Sequence, residues 1–335
     1  MGTKSGPGRS TGARPRRELA QRPTVSIVGA GRLGTALACA LATHGYTIEA
    51  VVARSLTHAR RAARIINTKP LALTSAELGS LPQSSIIFIT TPDDAIAATA
   101  AAIASSVDDC ESAGKSRRQR VALHASGALS SDVLQSLREV GFATGSLHPL
   151  VSVSEPRQGA QSLGSAFFCV EGSNAAVRAA RRMVSALGAQ SFSIGTRDKS
   201  LYHAAAVMAS GHVTALFDIA MEMLAQCNLE PRRARAILLP LLKSTLENLR
   251  ATAPARALTG TFARADVATV RRHLAALRST QMEDALAAYL LLGRRSLRLA
   301  KTAGAPAAAL REIARALDEA EKRGAPTNRG RRDET

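Results

Sequence analysis

The run GAGRLG sets Gly29, Gly31 and Gly34 in G-x-G-x-x-G spacing, directly after the apolar stretch TVSIV and before an apolar helical pattern. The chemistry this spacing serves is phosphate binding. The first glycine permits a tight turn out of a strand, and the second leaves room for backbone to approach a pyrophosphate. The third lets the helix pack closely on the strand. Amides at the start of that helix, around Arg32 and Leu33, lack partners within it and offer a positive dipole end to an anion.

A second position selects the nucleotide. Sites for NAD usually place Asp or Glu at the end of the next strand, about 20 residues past the motif, to bind the ribose hydroxyls. Here the strand ends in Ala53, Arg54 and Ser55. An arginine fork with a hydroxyl beside it suits the dianionic 2′-phosphate of NADP. Arg60, Arg61 and Arg64 follow on the next helix, where they either add positive potential or form a solvated face.

Three further segments deliver polar side chains to strand ends, where ligands bind in open parallel sheets. Thr90, Thr91, Pro92 and Asp93 follow the fourth strand and are read as lining the nicotinamide ribose. His124, Ser126 and Gly127 follow the fifth, and Ser146, His148 and Pro149 the sixth. A helical stretch then brings Lys199, Tyr202 and His203, with Lys199 and His203 one turn apart on one face. Reduction of a carbonyl or imine needs a cation or proton donor beside the atom that gains electron density as hydride arrives. His203 is read as that proton donor or oxyanion stabiliser, with Lys199, Ser126 and His148 orienting the substrate. The plainer alternative makes each histidine a satisfied structural residue and the 199–203 cluster a polar helix start. No metal-ligand spacing and no nucleophile elbow occurs.

These residues need strands alternating with helices to position them. Strands are expected at 24–29, 46–53, 71–73, 85–91, 120–127, 141–150, 165–172 and 189–195. Helices are expected at 33–43, 57–66, 94–104, from Ser130 or Ser131, and at 175–187. The nearly continuous apolar run SIIFITT suits a parallel strand buried on both faces. From residue 196 only helices follow, near 199–226, 231–250, 266–277, 281–301 and 306–323. The expected fold class is therefore α/β, a Rossmann doubly wound parallel sheet followed by an all-α C-terminal domain. The expected domains are a basic tail at 1–22, a nucleotide-binding domain at 23–195, a helical substrate and dimerisation domain at 196–323, and a tail at 324–335.

Composition agrees with two domains: 335 residues, 46% hydrophobic and 3% aromatic, favour alanine-rich helix packing over β-sandwiches. The formal charge of +18 raises a nucleic-acid role. Much of that charge sits in Gly-, Pro- and Ser-containing runs at 1–22 and 322–332 and in a polar surface loop at 108–120, with no nucleic-acid-binding signature between them. Cys39, Cys110, Cys169 and Cys227 stand singly, as reduced cytoplasmic thiols do. The apolar region 204–225 is interrupted by His212, Asp218 and Glu222 and is read as a buried helix of a soluble protein with no membrane partner.

Taken in order, GAGRLG, ITTPDDAI, HASGAL, SLHPL, KSLYHAAAV and ALTGTFARADVATVRRHL resemble a reductase family that pairs a Rossmann-like domain with a helical domain of unknown function. That family is similar in plan to pyrroline-5-carboxylate reductase and ketopantoate reductase, whose helical halves are like that of 6-phosphogluconate dehydrogenase. The resemblance runs from about residue 24 to 322. It implies an NADP(H)-dependent oxidoreductase acting by hydride transfer on a small, ketopantoate-like 2-oxo acid. A pyrroline-5-carboxylate-type imine reductase and a non-catalytic NADP-binding regulator are the alternatives, and a homodimer through the helical domain is implied as well. Gly29, Gly31 and Gly34 match the family's phosphate turn, and Ser126 and His148 match positions facing the nicotinamide cleft. GHVTALF resembles a ketopantoate reductase segment, which sets Gly211 where that family has an asparagine and His203 near its lysine. Ser210, Gly211 and His212 stand where related chains read SNH, and Thr261 and Ala265 depart from LTGPxxRGD. Arg264 and Asp266 keep that motif and either shape the cleft floor or cap a helix.

Overall fold

The computed structural model describes residues 22–107, 119–280 and 282–324. The basic segments 1–21 and 325–335 and most of the charged loop at 108–120 lie outside the described residues. The chain divides into two compact units, Met1–Ala206 and Val207–Thr335.

The first unit alternates strands and helices: β1 (Thr24–Val28), α1 (Arg32–Thr43), β2 (Thr47–Ala53), α2 (Leu56–Ile66), β3 (Leu71–Thr74), β4 (Ile86–Ile89) and α3 (Asp93–Ala104). It continues through β5 (Val121–His124), α4 (Gln135–Glu139), β6 (Ala143–Leu150), α5 (Pro156–Leu163), β7 (Phe167–Gly172), α6 (Asn174–Ala186) and β8 (Gln190–Phe192). Helix α7 (Lys199–Ala209) runs across the end of the unit. The sequence of β4 explains the architecture. All four residues are buried, Ile86 and Phe88 in the core on one face and Ile87 and Ile89 in the core on the other. A strand apolar on both faces needs helices on both sides.

The eight strands form one sheet in the order β3-β2-β1-β4-β5-β6-β7-β8. The doubly wound sheet expected from the sequence is therefore present, with one departure: β7 pairs with β6 antiparallel, from Gly145 opposite Gly172 to Leu150 opposite Phe167. The reason lies in α5, a helix not anticipated from QGAQSL. It packs on α1, with Gly159 beside Ala36, and does not carry the chain across the sheet to start a parallel strand. Between β1 and β4 the winding reverses direction, which opens a crevice at their carboxyl ends.

The second unit contains α8 (Gly211–Ala225), α9 (Pro231–Ala251), α10 (Pro254–Ala257), α11 (Val267–Ser279), α12 (Glu283–Thr302) and α13 (Ala307–Gly324). Its core joins Val270 and Leu274 of α11, Leu290 of α12, and Ile313 and Leu317 of α13. Pro231 occupies the first turn of α9, as its fixed φ favours, and Pro306 immediately precedes α13. The carboxylate of Asp266 accepts the Thr269 N–H at 3.0 Å and so caps α11. Ala265 before it has φ 53°, a left-handed conformation in which a Cβ is unfavourable.

Two expectations for the 199–226 stretch are corrected. The single helix is broken at Ser210, whose φ of −127° and ψ of −70° separate α7 from α8. The stretch 204–225 is also not buried: none of its residues is enclosed. Thr196–Ala225 has 30 residues and contains an 18-residue window of mean hydropathy 1.4, so it is long and apolar enough by composition to cross a membrane. Apolar content predicted enclosure, but the helices packed chiefly on α8, α9 and α12, leave Leu216 and Met223 38% and 37% exposed.

Candidate active site

The corner between β1 and α1 is built around Gly29. Its φ of 111° is left-handed, and a Cβ there would lie 2.6 Å from Thr90 C and Thr91 N, so only glycine lets β1 leave the sheet beside the end of β4. The turn is locked by Val52 O, which accepts the Gly29 and Ala30 N–H groups at 2.9 and 2.8 Å. Gly34 packs α1 on the same corner, where a Cβ would meet Gly29 O and Thr90 Oγ1. Gly31 faces open space, with nothing within 4 Å of a Cβ placed there. It is the N-cap of α1 and supplies no side-chain cap, and the first turn carries no acidic residue. The free amides of this turn are thus left for an anion.

A cleft of about 980 Å³ opens at this corner. Of the residues proposed from sequence to hold a dinucleotide, Gly29, Gly31, Arg32, Leu33, Arg54, Thr91 and Pro92 line it. Gly34 and Ser55 do not. Gly34 acts one layer behind, through helix packing, and Ser55 is the N-cap of α2, accepting the His58 N–H. The Ser55 hydroxyl also lies 2.9 Å from His58 Nδ1. His58, in the first turn of α2, lines the cleft with Arg54 and was not anticipated. Arg60, Arg61 and Arg64 are exposed on α2 and do not line the cleft. Thr91 Oγ1 is buried without a hydrogen-bond partner among the described residues. An unpaired hydroxyl in the wall and an open glycine cradle fit a polar ligand that reaches across the β1 and β4 ends.

Beside this cleft lies a second group of polar side chains. Ser126, after β5, donates its hydroxyl to Asp93 Oδ2 at 2.8 Å, at the first turn of α3. Ser126 Oγ also accepts the Ala128 and Leu129 N–H groups at 3.1 and 3.0 Å, so its bonding capacity is used within the turn. Lys199 is 1% exposed. Its Nζ donates to Ser146 Oγ at 2.6 Å and to Ser126 O at 3.1 Å, bracing the ends of β5 and β6. Burial holds the pKa of its ammonium below the usual lysine value, opposed by Cys169, Glu171 and Asp93. His124 is fully buried: Ser126 N–H donates to its Nδ1 at 3.2 Å, and its Nε2 lies 3.1 Å from Ser130 O. That pairing fixes a neutral ring, and burial, with Lys199 nearby, pushes its pKa down to about 4.

His148, on β6, and His203, on α7, meet edge to face with ring centroids 5.6 Å apart. Tyr202 OH lies 2.7 Å from His148 Nδ1. Burial, then His203 and Lys199, lowers the His148 pKa to about 4, so its ring is neutral near pH 7. Gly127 makes the meeting possible: a Cβ at 127 would stand 2.5 Å from His203 Cδ2 and 2.9 Å from His148 Cε1 and Nε2. Both imidazoles pack against this glycine and take the room that a side chain would need. The four residues proposed for chemistry thus come together in one cluster within the first unit, with Lys199 and Ser126 as its frame and His148 and His203 at its edge. Cys169, counted from sequence only as a free thiol, is fully buried beside Tyr202.

Comparison with known proteins follows this geometry. A comparison with curated proteins finds no match. Residues 6–149 match a Rossmann-like domain, and residues 166–296 match the domain of unknown function DUF2520. Among solved structures, a Bacteroides fragilis protein designated an NADP oxidoreductase is 21% identical over 84% of this chain and 98% of its own, with a TM-score of 0.63. The Plasmodium falciparum pyrroline carboxylate reductase with NADP bound is 12% identical over 91% of this chain and 99% of its own, with a TM-score of 0.50. An imine reductase from Myxococcus stipitatus, in complex with NAD+, is 16% identical over 87% of this chain and 99% of its own, with a TM-score of 0.52. At such identities the likeness is one of fold. The two domain matches between them take in most of the chain, which joins a Rossmann-like domain to a DUF2520 domain.

Proposed function

We propose that this protein is an NADP(H)-dependent reductase of a small 2-oxo acid, ketopantoate-like in size and charge. The observation that carries the reading is the glycine-cradled cleft at the switch point, with a histidine pair packed edge to face over Gly127 beside it. The amides after Gly31 take the pyrophosphate, Thr91 and Pro92 line the nicotinamide ribose, and Arg54 faces the 2′-phosphate. His58, held by Ser55, supports Arg54 at that end. When bound, the dihydronicotinamide supplies the hydride. His203 donates a proton or hydrogen bond to the oxygen that gains charge, and His148 orients the same group. Lys199 and Ser126 keep the ends of β5 and β6 in register and so hold His148 in place. A cyclic imine is the second reading, because two proteins of this fold are an imine reductase and a pyrroline carboxylate reductase.

The purified protein is expected to oxidise NADPH with ketopantoate or a related 2-oxo acid, and the same assay with pyrroline-5-carboxylate tests the imine. Absence of turnover with every oxo acid and imine, together with tight NADPH binding, would make the protein a regulator that reads the nucleotide. The nucleotide preference has its own test. Arg54→Ala is expected to weaken NADPH binding by about 10- to 100-fold, the scale of a charge-assisted phosphate contact, and to leave NADH binding unchanged. Equal losses for both nucleotides, measured by fluorescence titration, would remove Arg54 from the 2′-phosphate.

The exposed apolar helices support a homodimer. In the second unit Ile237, Leu239, Leu241, Leu246 and Leu249 of α9 are between 44% and 63% exposed, and α8 contributes Leu216 and Met223. So many exposed large apolar side chains mark an interface. Sedimentation at micromolar concentration is expected to give the dimer mass, and the double variant Leu241→Glu, Leu246→Glu the monomer mass. A monomer for the unaltered protein would exclude the dimer.

A further inference from the structure

We infer that Tyr202 is a positioning residue that fixes His148 in its Nε2–H tautomer, so that His148 keeps a hydrogen-bond donor on the ring edge next to Gly127 and His203. The inference rests on the reductase reading for its chemical purpose and on the hydrogen-bond geometry for its substance.

Tyr202 has one hydroxyl proton and two polar neighbours, His148 Nδ1 at 2.7 Å and the thiol of Cys169. An imidazole nitrogen is a strong acceptor and a thiol sulfur a weak one, so the proton goes to the ring. Burial, with Cys169 beside it, raises the Tyr202 pKa well above the ordinary phenol value, which keeps the hydroxyl a donor. The His148 ring is neutral, as its lowered pKa requires, and carries one proton of its own. With Nδ1 accepting from Tyr202, that proton is on Nε2. Nε2 belongs to the ring edge that packs against Gly127, where Nε2 and Cε1 each lie 2.9 Å from the position a Cβ would take, too close for any side chain.

The consequence is a division of labour between two histidines that sequence alone could not separate. His148 gives up no proton; it holds one in front of the atom where charge develops, a fixed donor of the oxyanion-hole kind. Proton delivery then falls to His203, whose ring meets His148 over the same glycine. The groups around His148 are Tyr202 and Cys169 at Nδ1, with His203 and Lys199 nearby, and among these Tyr202 is the hydroxyl donor bonded to the ring.

The test is a long-range proton–nitrogen spectrum of the full chain labelled with nitrogen-15 histidine, the His148 signals being those absent from His148→Gln. The expected spectrum of the unaltered protein shows Nδ1 as an unprotonated, hydrogen-bonded nitrogen and Nε2 as a protonated one. A protonated Nδ1, or two averaged nitrogens, would overturn the inference. In Tyr202→Phe, which removes one oxygen, Nδ1 is expected to lose its hydrogen-bonded shift and an Nδ1–H population to appear. Unchanged His148 shifts in that variant would likewise overturn it. In NADPH turnover, kcat of Tyr202→Phe is expected to fall about tenfold with KM for NADPH within about twofold. The spectrum needs no substrate, so a correct tautomer in a protein that reduces nothing would sink the reductase reading and leave the Tyr202 assignment standing.

Discussion

Replacing His203 with alanine is expected to lower NADPH-dependent turnover by about 10²-fold or more, the usual contribution of a positioned general acid. NADPH affinity should change little, because His203 does not line the nucleotide cleft. The expectation follows from position. His203 is partly exposed, in contrast to the enclosed Lys199 one turn earlier, and its ring packs against Gly127 beside His148. Lys199 is committed to Ser126 O and Ser146 Oγ and reaches nothing outside the frame. Steady-state kinetics and nucleotide titration on the same preparation separate the two effects. A loss shared equally between kcat and NADPH binding would indicate a collapsed site, and an unchanged rate would exclude His203 as the acid.

Local chemistry was legible in the sequence, and pairings across the sheet were not. Gly29, Gly31 and Gly34 declare their turn because its demands fall within six consecutive residues. The strand ends carrying Thr91, Ser126 and His148 could be placed because parallel strands present their carboxyl ends to one side. The duties of these residues were harder to read. The Ser126 hydroxyl is spent on Asp93 and two turn amides, and Asp93 lies 33 positions away. Tyr202 meets His148 across 54 residues, and no helical periodicity reports which face of α7 finds β6. His58 was missed for the opposite reason: its link to Ser55 is local, but its exposure on an arginine-rich helix resembles an ordinary solvated face. The antiparallel β7 depended on α5 packing against α1, a tertiary choice with a weak local pattern around Gly159. The apolar 204–225 stretch misled because hydropathy measures preference for enclosure and not the presence of a cover within the chain.

The histidines also predict how the fold fails in acid. His124 and His148 are each held near a pKa of about 4, first by burial and then by neighbouring cations. Their ordinary value is 6.5, so below it the unfolded chain takes up protons that the native state refuses. Stability is therefore fully present above pH 6.5 and falls as pH drops from 6.5 to about 4. Within that window each histidine contributes a slope of up to about 1.4 kcal/mol per pH unit, and on the order of 3 kcal/mol in total. For a native state stable by about 5–15 kcal/mol that is a large share. Carboxylates whose pKa values are lowered in the fold, such as Asp132 and Asp266, hold their effect until the pH is lower still. The onset between pH 6.5 and 4.5 consequently belongs to the imidazoles. Urea unfolding at a series of pH values is expected to show the midpoint decline across that range, and His148→Gln to lose about half of the slope. A midpoint that stays level down to pH 4.5 would mean that the two rings accept protons in the folded state. Neither could then be the neutral group on which the cluster around Lys199 is built.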